Sequence, residues 1–151
     1  MKLISFIVLG IPIPKGSWNF LGRGRVIPDN PKLEAWCQAV TLAAMQKAPR
    51  EPMTGPISIV IELFFPIPKK YLNKDGSRKN PKILLWADDK ADSDKCERAI
   101  WDCCTKAGIW KDDKQVARNV CEAYYHEVQY ASVQICQLVQ GDAKMPFEEE
   151  I

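Results

Sequence analysis

The strongest alternation of apolar and polar positions runs through residues 57–65. Ile57, Ile59, Ile61, Leu63 and Phe65 interleave with Ser58 and Glu62, the period of two that predicts a β-strand. Leu3 to Leu9 is almost wholly apolar and predicts a largely buried first strand. Gln115 to Val128 and Ser132 to Val139 predict two closing strands, with Val133 and Ile135 alternating against Ser132 and Gln134. Two stretches change to helical spacing. Leu33, Trp36, Cys37, Val40 and Ala44 form one stripe, opened by Asn30-Pro31 as cap and first-turn proline and closed by Pro49. Ala99, Ile100, Cys103, Cys104 and Ala107 form a second stripe from Cys96, which Gly108 ends by its access to the left-handed conformation. Ile109 and Trp110 then return to the core. The stretches Lys15 to Asp29 and Phe65 to Asp89 read as long loops.

Length fits this pattern to one globular domain of mixed α and β class over 1–140, with an acidic, disordered tail expected over 141–151. The chain's net charge of +2 hides an asymmetry. Asp142, Glu148, Glu149 and Glu150 against Lys144 give the tail −3, leaving +5 on the body and weakly favouring an anionic partner. The apolar start, LISFIVLGIPIP, is too short for a membrane span and has no small-x-small cleavage site, so no membrane association is expected. Six cysteines, none in C-x-x-C pairs and with one histidine to help them, exclude zinc-type spacing. They suit reduced thiols in a cytoplasmic protein.

Chemistry concentrates in KADSDKCERAIWDCCTKAGIWKDDKQV, residues 90–116. Asp92 and Asp94 stand before the second helix, and Asp112 and Asp113 follow it. Carboxylates at both ends of a helix–turn unit suit a divalent cation, since magnesium prefers an all-oxygen shell with few carboxylates. A chain that reverses after the helix can carry Asp113 back towards Asp92 and Asp94. The same residues also fit a capping box formed by Asp94 and Glu97, with Asp92 or Ser93 as other caps. Arg98 and Asp102 follow Asp94 by four and eight residues and share an exposed face with it. The glycine-interleaved Arg23 and Arg25, and the loop lysines Lys69, Lys70 and Lys74, are placed to meet phosphates or to serve as solvated loop charge.

The order D-x-D, a basic residue four positions on, a further D, then T-K-A-G-I-W-x-D-D-x-Q-V resembles the signature of RusA-type Holliday junction resolvases. The early G-x-P-x-P-K and the middle P-x-P-K-K extend the resemblance. It implies a small mixed sheet with two main helices, a homodimer, Mg²⁺ (with Mn²⁺ substituting), and four-way DNA as substrate. It also implies catalytic Asp92, Asp94, Arg98 and Asp113, with the three aspartates as metal ligands. Lys15, Arg23, Arg25, Lys69, Lys70, Lys74, Lys90 and Lys95 become the expected DNA contacts. Three positions depart from the family's commonest pattern: Ala91 where it has Pro, Lys95 where it has Asn, and Arg98 where it has Lys. A guanidinium cannot release a proton, which leaves Arg98 an electrostatic role. The alternative expectation is a junction-binding protein of the same fold with impaired catalysis.

Overall fold

The computed structural model describes residues 2–16, 18–28, 30–89 and 91–143, without the side chains of 18–20 and 26–28. Seven strands and two helices run in the order β1 (Leu3–Leu9), β2 (Trp18–Gly22), β3 (Arg25–Pro28), α1 (Leu33–Lys47), β4 (Ile57–Phe65), β5 (Leu85–Trp86), α2 (Ser93–Lys106), β6 (Val116–Tyr125) and β7 (Tyr130–Gln137). Five strands make a mixed sheet in the order β1-β7-β4-β6-β5, and β2 with β3 forms a separate hairpin. The expected α+β domain with a small mixed sheet and two main helices is what the chain adopts.

β4 is the centre of the sheet because it is the most apolar segment with period-two spacing. It pairs in parallel with β6 and antiparallel with β7. Ile57, Ile59, Ile61 and Leu63 are completely buried, each contributing roughly 1.5–3 kcal/mol by leaving water. β4, α2 and β6 form a βαβ unit, the connection that parallel neighbours require. β1 is antiparallel to β7, so β1, β4 and β6 all point one way. Their carboxyl ends define what we call the upper end of the sheet.

Both helices cover one face. Trp36, Val40 and Ala44 of α1 and Cys96, Ile100, Cys103 and Cys104 of α2 join Ile4, Phe6, Val8 and the inward side chains of β4 and β7 in one core. Among the described residues, the opposite face carries no helix. Across its upper end Tyr130, Phe64, Tyr124 and Trp86 stack in sequence, with ring centroids 4.1, 5.4 and 4.9 Å apart. Trp86 is 64% exposed, and Leu3, Ile7 and Leu9 of β1 project openly from the same side.

Two segments read as loops prove more ordered. The glycine–arginine stretch is a hairpin, because Arg23 and Gly24 both take positive φ, 52° and 73°, and together close a tight turn of the primed kind. The connection after β4 contains a 3-10 turn at Lys69–Tyr71, a bridge between Leu72 and Arg78, and the edge strand β5. Arg78 fastens this connection to the sheet. Its guanidinium donates to both carboxylate oxygens of Glu127, at 2.7 and 2.6 Å, and to the Ile83 carbonyl at 2.6 Å.

Asn30 opens the first helix less directly than expected. Its side-chain oxygen accepts from the Lys32 amide at 3.0 Å, making a lead-in turn, and regular helix begins at Leu33. Of the acidic tail expected over 141–151, residues 144–151 lie outside the described residues.

Candidate active site

α2 starts over the upper half of the sheet, level with Cys121 of β6, and runs towards the lower end. Asp92 occupies the N-cap position in the left-handed conformation, φ 42° and ψ 50°, with no hydrogen bond from its side chain to the helix. A non-glycine residue in that region costs on the order of 1 kcal/mol. The first turn is closed instead by the Asp92 carbonyl, which accepts from the amides of Lys95 and Cys96, both at 3.0 Å. The carboxylates of Asp92 and Asp94 are therefore both released from capping, and both residues are exposed. The Lys95 ammonium, 4.0 Å away, is the ion-pair partner of Asp92. The capping box that Asp94 and Glu97 could have made is absent, for Glu97 instead accepts a hydrogen bond from Asn119 of β6.

α2 ends in a Schellman motif: Gly108, φ 82°, donates to Thr105 and Ile109 donates to Cys104. This turn drives Ile109 and Trp110 into the core, where both are almost fully buried. The Trp110 indole donates to the Thr105 hydroxyl at 2.8 Å, and that hydroxyl donates to the Trp101 carbonyl. A capping box follows. Asp112 accepts from the Lys114 amide at 2.9 Å, while the Gln115 side chain accepts from the Asp112 amide at 3.2 Å. Hydrogen bonding by the Lys114 amide holds the Asp112 carboxyl below its usual range. Gln115 also donates to the carbonyls of Met53 and Gly55, fixing the turn to the segment that leads into β4. In this run Asp113 is the carboxylate with no such hydrogen bond, and it is exposed.

The two groups lie at opposite ends of α2. α2 runs antiparallel to β6: the Cys121 thiol approaches the Ser93 carbonyl at 3.8 Å, and Asn119 meets Glu97. Asp113 lies just before β6, at the lower end. The fourteen residues of α2 alone span about 20 Å. The chain does reverse after the helix, but the reversal happens at the far end, so one chain does not bring Asp113 back to Asp92 and Asp94. Among the described residues, no three of His, Cys, Asp and Glu gather closely enough to hold a metal ion.

Exposed cations lie on the segments that follow β1 and β4. The 3-10 turn that follows β4 presents Lys69 and Lys70 in the open, with the Lys70 ammonium 5.0 Å from the Tyr71 ring centre. Lys74 is exposed in the next turn, and Arg23 and Arg25 are exposed at the hairpin tip. The Lys15 amide donates to the Lys95 carbonyl at 3.1 Å, which ties the segment after β1 to the first turn of α2. The Lys15 ammonium is engaged by Asp102 at 2.6 Å, an ion pair the sequence did not suggest. Arg98 is exposed one turn beyond Asp94, and among the described residues no acidic partner lies within salt-bridge distance of it. Lys90 lies outside the described residues. No helix is long and apolar enough to cross a membrane, among the described residues.

A single mixed-sheet domain with exposed carboxylates at a helix start beside Lys95 and Arg98, and with further lysines and arginines exposed on its loops, has the chemistry of a protein acting on nucleic-acid phosphodiesters. The chain belongs to the family described as Endodeoxyribonuclease RusA, whose pattern it matches over residues 10–136. It is also 33% identical over 141 residues to a Bacillus subtilis (strain 168) protein described as "Uncharacterized protein YqaN", covering 89% of this chain and 96% of that one.

Proposed function

We propose that this chain is a Mg²⁺-dependent endonuclease that resolves four-way DNA junctions as a homodimer. Asp92 and Asp94 of one copy would work with Asp113 of the other. The observation that carries the reading is the separation of free carboxylates at the two ends of α2. A symmetric pair can set the lower end of one copy beside the upper end of its partner, and two-fold symmetry then yields two such sites for paired nicks. A second copy has a surface to use, since the helix-free sheet face exposes Trp86, Leu3, Ile7 and Leu9.

Asp92 and Asp94 fit a magnesium ion because neither is committed to the helix, and an all-oxygen shell needs few protein carboxylates. When bound, the cation supplies an activated water and offsets charge on the scissile phosphate. Arg98 contributes a fixed positive charge towards the leaving oxygen. Lys69, Lys70, Lys74, Lys90, Arg23 and Arg25 hold the DNA backbone, with Lys95 beside the carboxylates and Lys15 sharing its charge with Asp102.

The test is cleavage of a synthetic four-way junction against linear duplex, with Mg²⁺ or Mn²⁺. Asp94→Asn and Asp113→Asn should each be inactive yet bind the junction. Mixing the two should restore nicking of one strand, because a heterodimer carries one doubly altered site and one intact site. Continued inactivity of verified heterodimers places all three carboxylates in one subunit's site and overturns the shared-site reading. The Lys95 ammonium beside Asp92 favours a second reading, a junction-binding protein in which this lysine stands where a cation would. Junction binding without cleavage by the wild type, with cleavage gained in Lys95→Asn, would establish it.

A further inference from the structure

The two helices are crossed by a pair of thiols that the proposed chemistry leaves unused. Cys37 lies on α1 and Cys103 on α2, and the Cys103 thiol donates to the Cys37 carbonyl at 3.5 Å. Both thiols are free, and both line a cleft of about 820 Å³ between the helices, with Thr41, Asp102 and Lys106 around them. We propose that Cys37 and Cys103 are a redox site, oxidised by small hydroperoxides to a disulfide that joins α1 to α2.

The surroundings set the order of events. A hydrogen bond from Cys37, helped by the Thr41 hydroxyl and the Lys106 ammonium against burial and Asp102, lowers the Cys103 thiol below the usual thiol range. The same shared proton raises Cys37. Burial pushes Cys96 and Cys121 up to about 12 and raises Cys104 as well. Thiolates rather than thiols attack peroxides, and Cys103, though only 1% exposed, lines the cleft that Cys96 and Cys104 do not, so Cys103 reacts first. Its sulfur attacks one peroxide oxygen, the O–O bond breaks, and hydroxide leaves as water once protonated. Cys103 is then a sulfenic acid. The Cys37 sulfur attacks it, the S–O bond breaks, and the departing hydroxide takes the Cys37 proton. Two thiols and one hydrogen peroxide become one disulfide and two waters, a transfer of two electrons.

The site is independent of the nuclease reading, and its test reads thiols directly. The folded chain is treated with stoichiometric hydrogen peroxide, quenched, alkylated and digested, and its disulfides are mapped by mass spectrometry. The Cys37–Cys103 disulfide should form first, while Cys96 and Cys104 stay reduced. Lowering the pH from 8 to 6 should slow the reaction less than it slows oxidation of a thiol of ordinary pKa. In Cys37→Ser, which alters only the half-buried partner, Cys103 should stop at a sulfenic acid that dimedone traps. The proposal is overturned if a Cys96–Cys121 disulfide forms first, if no Cys37–Cys103 disulfide appears, or if Cys37→Ser yields no sulfenic acid at Cys103.

Discussion

The two ends of α2 hold carboxylates of the same kind in opposite structural circumstances. At the lower end nearly every neighbour of Asp113 is engaged: Thr105 and Trp110 with each other, Asp112 and Gln115 in a reciprocal cap, Gln115 again with the segment before β4. Asp113 projects from a turn that cannot easily move. At the upper end the backbone of Asp92 is strained, its carboxylate caps nothing, and the lysine beside it is half exposed. One end presents a carboxylate rigidly, and the other leaves two carboxylates free of the helix. The lesson concerns the motif T-K-A-G-I-W-x-D-D-x-Q-V, most of which builds the scaffold while Asp113 is left projecting from it.

That contrast can be broken most severely at the lower end. Trp110→Ala should remove the packed indole and its hydrogen bond to Thr105, at a cost of about 3–5 kcal/mol in stability. Asp113→Asn, three residues away, should leave stability nearly unchanged while cleavage disappears. Urea unfolding of both variants, beside a junction assay, checks the pair. Equal destabilisation would mean that Asp113 belongs to the scaffold.

At the upper end, Arg98 sharpens the comparison. As a fixed charge with no acidic partner in reach among the described residues, it should tolerate Lys but not Ala. Arg98→Ala should lower the single-turnover rate by about 10²–10³-fold, the usual loss for one such electrostatic contact. Arg98→Lys should keep substantial activity. A wild-type rate in Arg98→Ala returns the residue to the helix surface.

A smaller effect with opposite signs in stability and function is expected at Asp92. Glycine takes positive φ without steric cost, so Asp92→Gly should stabilise the fold by up to about 1 kcal/mol. The same change removes a carboxylate and should abolish cleavage. Asp112→Ala is the mirror case, losing about 1 kcal/mol with the cap. Thermal melts of the two variants should move in opposite directions.

Much of this was legible before any coordinates. The strands at 3–9 and 57–65, both helices and the stop at Gly108 followed from spacing, because one face of each element must be buried. Three things were not legible. The hairpin at 18–28 was hidden because its turn depends on Arg23 taking a positive φ, which arginine rarely does. The Lys15–Asp102 and Arg78–Glu127 pairs join residues 87 and 49 apart in sequence, and spacing carries no signal over such distances. The separation of Asp113 from Asp92 was missed because a chain reversal was read without its location. The direction of α2 against β6 decides which end receives the turn, and that is a property of the parallel β4–β6 pair.

The smallest effect concerns how the basic connection is held at the upper end. Arg78 grips Glu127 with two hydrogen bonds, and that contact holds the Glu127 carboxyl down at about 2. A folded-state pKa below the unfolded value of about 4.3 means the pair stabilises the fold only while the carboxylate is ionised. The contribution is complete above about pH 4.5 and is lost as pH falls towards 2. Glu127 is half exposed, so solvent screening keeps the effect on overall stability small. Its local effect should be clearer. Below pH 4, or in Glu127→Gln at neutral pH, the segment from Lys69 to Lys82 should exchange its amide hydrogens faster than β4 does. If Lys69, Lys70 and Lys74 are phosphate contacts, Glu127→Gln should weaken DNA binding a few-fold with little change in the salt slope, because positioning is lost and charge is not. Changing the three lysines together to Gln should flatten that slope. Unchanged exchange in Glu127→Gln would show that the Leu72–Arg78 bridge and Tyr71 packing hold the connection without the ion pair.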